Sequence, residues 1–219
     1  MKIIAINGSP RKDWNTGTLL KSALEGAKSE GAQTEIINLY DLSYKGCISC
    51  FACKLAGGKS YGKCALQDDL TPLFEKIIEA DALLLGSPVY IADVTGAFRS
   101  FIERLIFQYL VYAETEKSLL EKTIPSAFIY TMNVDEEQLH KLGYEKHFKN
   151  TEEFMSIIYG PTQSLYVTDT KQFSDYSKYV NRLFDPEKKA QRHEEVFPQD
   201  CKKAFELGKK LVQSKKTNN

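Results

Sequence analysis

Short apolar runs alternate with amphipathic stretches along this chain, and that alternation restricts the fold more than any bulk figure does. Strand-like runs fall at 2–7, 33–39, 82–86, 125–131 and 162–168, and 17–29, 71–80 and 96–112 between them carry apolar residues at helical spacing. In 71–80, Leu73, Phe74, Ile77 and Ile78 share one face, with Asp68-Asp69 expected as a cap and Thr71-Pro72 in the first turn. In 96–112, Phe98, Phe101, Ile102, Leu105 and Ile106 form one stripe. Such alternation predicts an α/β fold: right-handed crossovers and a mostly parallel sheet covered on both faces. Ligands on these sheets sit beyond the carboxyl ends of the strands. Asn7–Thr18, Gly86–Tyr90 and Thr131–Asn133 each follow a strand-like run, so one crevice is expected to gather all three.

The 219 residues suit a single domain, 1–219. Within it, 40–69 reads as a long irregular connection holding four cysteines, and 134–160 as a mainly helical excursion. The stretch 171–197 is polar and unassigned, and a last helix runs from about 198 to 216. With 29 basic and 29 acidic residues nothing draws the chain toward nucleic acid or an acidic membrane. The lysines at 202, 203, 209, 210, 215 and 216 read as the wet face of that helix. No leader is expected, since the first strand begins at residue 2, and no apolar run is long enough to cross a bilayer. A cytoplasmic protein is expected, in which five cysteines point to metal, redox chemistry or burial before disulfides.

The loop Gly8-Ser9-Pro10-Arg11 to Asn15-Thr16-Gly17-Thr18 joins a buried strand to a helix start. Unpaired N–H groups and the positive end of the helix dipole face an anion there. Ser9, Thr16 and Thr18 can add hydroxyl donors, and Arg11 a charge. Further on, Gly86-Ser87-Pro88-Val89-Tyr90 leaves a strand end stiffly, because Pro88 fixes its own backbone and restricts Ser87. Tyr90 then offers an aromatic face. No G-x-G-x-x-G is present, which argues against a dinucleotide fingerprint. The Gly57–Lys63 stretch ends in Cys64 where a Walker loop needs Ser or Thr, so it is set aside.

These residues resemble the flavodoxin-like NAD(P)H-dependent FMN reductases, a group that includes iron–sulfur flavoproteins. Gly8-Ser9-Pro10-Arg11 with Asn15-Thr16 is similar to the family's FMN phosphate loop, and Gly86–Tyr90 to the loop along the isoalloxazine edge. Phe101-Ile102-Glu103-Arg104 is similar to the aromatic–acid–arginine end of the following helix. The resemblance implies a three-layer sandwich with a five-stranded parallel sheet in the order 2-1-3-4-5. It implies noncovalent FMN held by Ser9, Arg11, Asn15, Thr16, Thr18, Ser87, Pro88, Val89, Tyr90, Thr131, Met132 and Asn133. It further implies NAD(P)H as co-substrate, a small-molecule acceptor such as a quinone or flavin, and a homodimer or tetramer. Hydride transfer to a flavin obliges no protein acid or base, so no catalytic residue is assigned.

Cys47, Cys50 and Cys53 stand at C-x2-C-x2-C spacing, with Cys64 ten residues on. Iron–sulfur flavoproteins carry a similar triplet, with a fourth cysteine that follows more closely. Three readings stay open: an iron–sulfur cluster on the four thiolates, zinc on the same set, or packed cysteines without metal. A cluster would suggest an electron carrier fed by a ferredoxin-type donor, and a flavin-binding redox sensor without turnover is a further alternative. Cys201 reads as a buried helix residue, and His140, His147 and His193 as surface residues.

Overall fold

The computed structural model describes residues 1–217, with side chains of the last helix described through Ser214. Lys215 and Lys216 of the expected lysine face, and the last two residues of the expected domain, lie outside that description. The strands are β1 (Lys2–Asn7), β2 (Gln33–Asn38), β3 (Ala82–Tyr90), β4 (Asp93–Val94), β5 (Ser126–Thr131) and β6 (Thr162–Val167). The helices are α1 (Asn15–Ser29), α2 (Leu70–Glu79), α3 (Gly96–Phe107), α4 (Glu136–Leu142), α5 (Tyr144–Tyr159), α6 (Pro186–Glu195) and α7 (Phe197–Thr217).

Every long strand pairs in parallel, in the order β2-β1-β3-β5-β6. The numbers differ from the expected 2-1-3-4-5 because β4 intervenes. It is a two-residue return that pairs antiparallel with the tip of β3 alone, and it is too short for a hydrophobic pattern to reveal. The five strand-like runs themselves occupy the expected positions in the expected order, giving the flavodoxin-like arrangement.

Side-chain alternation along β1 feeds both faces. Ile4 and Ile6 enter a core with Leu83, Leu85, Phe101 and Phe128. Ile3 and Ala5 enter a second core with Leu19, Leu20, Leu84 and Ile129. Each fully buried aliphatic side chain contributes on the order of 1.5–3 kcal/mol.

One helix end moved, and two helix starts bear on the expected capping. Helix α3 stops at Phe107 and not at 112, because the chain turns into a bridge between Leu110 and Ser118. Lys54 Nζ takes up the Gln108 and Leu110 carbonyls there, at 3.2 and 2.6 Å. The side chain of Asp69 does not cap α2, whereas Asp68 Oδ1 accepts from the N–H of Leu70 at the helix start, at 3.1 Å, and its other oxygen meets Arg104. Helix α6 lies in the stretch left unassigned, yet its start was readable. Asp185 accepts from the N–H groups of Glu187 and Lys188, and Pro186 opens the first turn.

Helices α1 and α7 approach through Gly26 and Gly208. A Cβ on Gly208 would lie 1.8 Å from the Ala23 carbonyl oxygen, and one on Gly26 would lie 1.9 Å from that of Phe205. Gly208→Ala should therefore destabilise the protein by about 1–3 kcal/mol through overpacking. A urea midpoint equal to that of the parent would mean the helices do not meet so closely.

Candidate functional site

The parallel register brings the strand ends to one edge: Asn7 lies opposite Asn38 and Gly86, and Thr131 opposite Pro88 and Val167. At that edge Asn7 is fully buried and shapes the loop after β1. Its Nδ2 donates to Asn38 Oδ1 at 3.0 Å and to the Lys12 carbonyl at 3.3 Å, and its Oδ1 accepts from the Ser9 N–H at 3.1 Å. The loop folds tightly back on α1, where a Cβ on Gly17 would sit 1.8 Å from the Lys12 oxygen. Trp14 is the cap residue of α1 and no side chain caps the helix; an indole carries a donor but no acceptor. The first-turn N–H groups are thus left for an anion. Beside them the hydroxyls of Thr16 and Thr131 meet at 2.7 Å, joining α1 to the end of β5.

The loop after β3 is held from behind. Thr95 caps α3 by accepting from the Phe98 N–H at 3.2 Å and donates to the Gly8 carbonyl at 2.8 Å. Ser87 Oγ accepts from the Thr95 N–H at 3.1 Å and donates to the Pro88 carbonyl at 2.8 Å. Ser87 is therefore fully buried in loop support and does not line the crevice. Nor does Thr18, whose N–H closes the first α1 hydrogen bond on Trp14.

The other expected residues converge on one crevice. Ser9, Arg11, Asn15 and Thr16 come from the first loop, Pro88, Val89 and Tyr90 from the second, and Thr131, Met132 and Asn133 from the third. Trp14, Thr170, Gln172 and Phe173 complete the lining and were not foreseen. Three of these follow β6, and the rule that ligands gather at strand carboxyl ends could have found them. The segment is tied across the first loop: Lys171's carbonyl accepts from Trp14 Nε1 at 3.1 Å and Asn15 Nδ2 at 2.9 Å, and Gln172's from Arg11.

Cys47, Cys50, Cys53 and Cys64 line a second cavity with Ile48, Phe51, Phe107 and Arg104 among its walls. The backbone bond from Gly62 N to Cys53 O, at 3.1 Å, folds the long final spacing back on itself. Cys64 is then held to α3 by its N–H on Gln108 Oε1 at 3.1 Å and by Arg104 Nε at 3.3 Å from its sulfur. Cys53 is buried while Cys47 and Cys50 are exposed, and burial pushes the Cys53 thiol up. As the loop stands, no three His, Cys, Asp or Glu side chains among the described residues are gathered closely enough to hold a metal ion. Cys201 is half-buried on α7 beside the second core. His193 is half-buried and stacks on Phe197 at 5.0 Å, which corrects its expected surface placement.

Arg104 anchors the cysteine loop. It is buried, pairs with Asp68, and donates to the carbonyls of Lys45 at 3.0 Å and Leu66 at 3.3 Å. Burial alone would raise the Asp68 pKa. The Arg104 hydrogen bond, the Leu70 N–H and the guanidinium charge outweigh it and hold the carboxyl below its usual range.

The profile of the family described as NADPH-dependent FMN reductase matches residues 1–133. The chain belongs to this family. An iron–sulfur flavoprotein of Methanocaldococcus jannaschii is 40% identical over 104 residues, covering 48% of this chain and 51% of the relative. An iron–sulfur flavoprotein of Clostridioides difficile is 32% identical over 146 residues, 62% of each chain. The aligned part thus spans about half the length of the first of these relatives. A solved NAD(P)H:quinone oxidoreductase from Methanothermobacter marburgensis superposes with a TM-score of 0.70 at 15% identity over 96% of both chains, a likeness of fold.

Because the folded-state pKa of Asp68 is depressed, its stabilising effect is present above the unfolded carboxylate value of about 3.9 and fades as pH falls through the folded value. Asp68→Asn should lower the unfolding midpoint at neutral pH, with the gap from the parent narrowing in acid. A gap independent of pH would contradict the ion pair.

Proposed function

We propose that the chain binds FMN in the crevice and acts as an oxidoreductase, passing reducing equivalents from NAD(P)H to a small-molecule acceptor such as a quinone or flavin. The observation that carries this reading is the uncapped start of α1 lying beside the Thr16–Thr131 hydroxyl pair at the strand edge. These donors suit one terminal phosphate, with Ser9, Arg11 and Asn15 alongside. Pro88, Val89, Tyr90, Met132 and Phe173 supply flat and apolar walls for a ring system. The residues present fit FMN.

Bound there, FMN would supply the redox chemistry, taking a hydride from a nicotinamide and returning two electrons to the acceptor. The protein's part is to hold the phosphate on α1, to set the ring against the rigid 87–90 turn, and to keep bulk water from one side of it. Tyr90, 43% exposed, is placed to meet the ring or an incoming substrate. We place the protein in the cytoplasm as a homodimer or tetramer, a reading in keeping with the exposed Ile91, Val180 and Leu183. No helix among the described residues is long and apolar enough to cross a membrane.

One observation favours a second reading. All four cysteines of the 40–69 connection line a single cavity with apolar walls, a donor set that fits a four-thiolate iron–sulfur cluster. Cys47, Cys50, Cys53 and Cys64 would hold it, with the exposed Cys47 and Cys50 drawing in. The cluster would supply one-electron transfer, and a ferredoxin-type protein could serve as donor. The relatives named iron–sulfur flavoproteins support this reading.

Cofactor released from the purified protein should co-elute with FMN, and the holoprotein should oxidise NADH or NADPH in steady state. Thr16→Ala should weaken FMN binding by about 1–3 kcal/mol, the range for a hydrogen bond to a charged group. Recovery of FAD alone, or an unchanged affinity, would refute the site. Anaerobic reconstitution should load iron and acid-labile sulfide, and Cys64→Ser should lose them more completely than Cys201→Ser. Stoichiometric flavin without iron would leave the cysteines as packing residues.

A further inference from the structure

The crevice wall built by the third loop and the segment after β6 is braced by a buried cation. Lys189 of α6 is 4% exposed, pairs with the Asp169 carboxylate, and donates to the Asn133 carbonyl at 2.7 Å. Its ammonium also lies 4.8 Å from the centre of the Phe184 ring. Asp169 takes a φ of 54°, the left-handed region that a non-glycine residue adopts only when its surroundings hold it there. Its N–H bonds the Val134 carbonyl at 2.7 Å, and its side chain is held by Lys189. The ammonium thereby adds to the Met132–Val167 and Thr170–Met132 bonds in tying the third loop to the start of the following segment, and it is the side chain that reaches the Asn133 carbonyl.

From there the bonding continues into the crevice. Asn133 Nδ2 donates to Gln172 Oε1 at 3.1 Å. That contact commits the donor side of the Asn133 amide to the wall and leaves Oδ1 as an acceptor. Asn133 Oδ1 is buried and has no partner. A buried acceptor without a donor is destabilising, and Asn133 lines the crevice, so its chemistry calls for an N–H from whatever fills it. Oxidised isoalloxazine carries one ring N–H, the imide nitrogen between its two carbonyls.

We propose that Asn133 Oδ1 accepts the imide N–H of the bound flavin, and that Lys189 is the positioning residue that holds Asn133 in place to do so. Lys189 lies outside the family-matched stretch 1–133, so this support belongs to the C-terminal part of the chain. The inference rests on the FMN reading above, and its test separates the two.

The probes are FMN, riboflavin and an FMN analogue methylated at the imide nitrogen, each titrated into flavin-free protein by fluorescence quenching. The parent should prefer FMN over the methylated analogue by about tenfold or more, the equivalent of 1.4 kcal/mol. Asn133→Ala should bring that preference near parity. Lys189→Met should reduce it several-fold. In both variants the preference for FMN over riboflavin should hold, because the phosphate contacts at α1 and Thr16 are untouched. General loosening of the fold would instead lower both preferences together, and that result would overturn the proposal. So would parity in the parent, or a full imide preference surviving in Asn133→Ala, which tests the idea even if Lys189→Met does not fold. Absence of any flavin binding by the parent would remove the FMN reading and this inference with it.

Discussion

Parallel pairing leaves every strand's carboxyl end on one side of a sheet, and the site in this protein depends on that. Asn7, Gly86, Pro88, Thr131 and Val167 reach the same edge because the registers of β1, β3, β5 and β6 align them. Backbone groups there leave the ladder and must be satisfied by loops. Gly8 N bonds the Gly86 oxygen at 2.8 Å, and Met132 N bonds that of Val167 at 3.0 Å, so neighbouring loops are stitched to one another before any ligand arrives. The helix dipole of α1 and the Thr16–Thr131 pair act on the space these stitches enclose.

A second consequence concerns α3, which serves both candidate sites. Its N-terminus is capped by Thr95, whose hydroxyl also reaches the Gly8 carbonyl in the loop after β1. Its far end carries Arg104, Phe107 and Gln108 against the cysteine cavity. Twelve residues at about 1.5 Å each separate the two ends. A buried guanidinium on such a helix needs its charge met, and Asp68, two carbonyls and a cysteine sulfur meet it. Removing one partner of a buried pair costs about 3–5 kcal/mol, so the cysteine loop is bound to α3 more firmly than its irregular backbone suggests.

Backbone strain is concentrated at the same two places. Among the described residues, the non-glycine residues with left-handed φ are Ser49 and Phe51 between the cysteines, Ile91 and Ala92 at the β3–β4 tip, and Asp169 after β6. Each such residue costs of order 1–3 kcal/mol and persists only where its surroundings over-determine it. At Asp169 those surroundings are Lys189 and Val134. At the β3–β4 tip Ile91 is wholly exposed, so the turn presents an apolar side chain outward beside Tyr90.

The sequence by itself determined the parallel sheet and three of the four loops that line the crevice, while the strand order came with the family resemblance. Burial on both faces demands apolar runs, and a strand-to-helix turn demands small and hydroxyl residues, so both leave local signatures. Ser87 and Thr18 looked alike in sequence to the residues that line the crevice; only packing showed the Ser87 hydroxyl spent on Thr95 and Pro88, and Thr18 set back from the crevice within the first turn of α1. The wall after β6 left no local signature, because Lys171 and Gln172 act through Trp14, Asn15 and Arg11, about 160 residues away, and a buried lysine on a polar helix looks like any solvated one. Whether Cys64 could join Cys47, Cys50 and Cys53 was likewise undecidable from spacing, since loop length says how far a chain can reach and not where it returns. The Gly62–Cys53 bond and the Arg104 clamp bring the fourth thiol to the wall of a cavity that the other three also line, because contacts between distant segments exist only once the helix that carries them has docked.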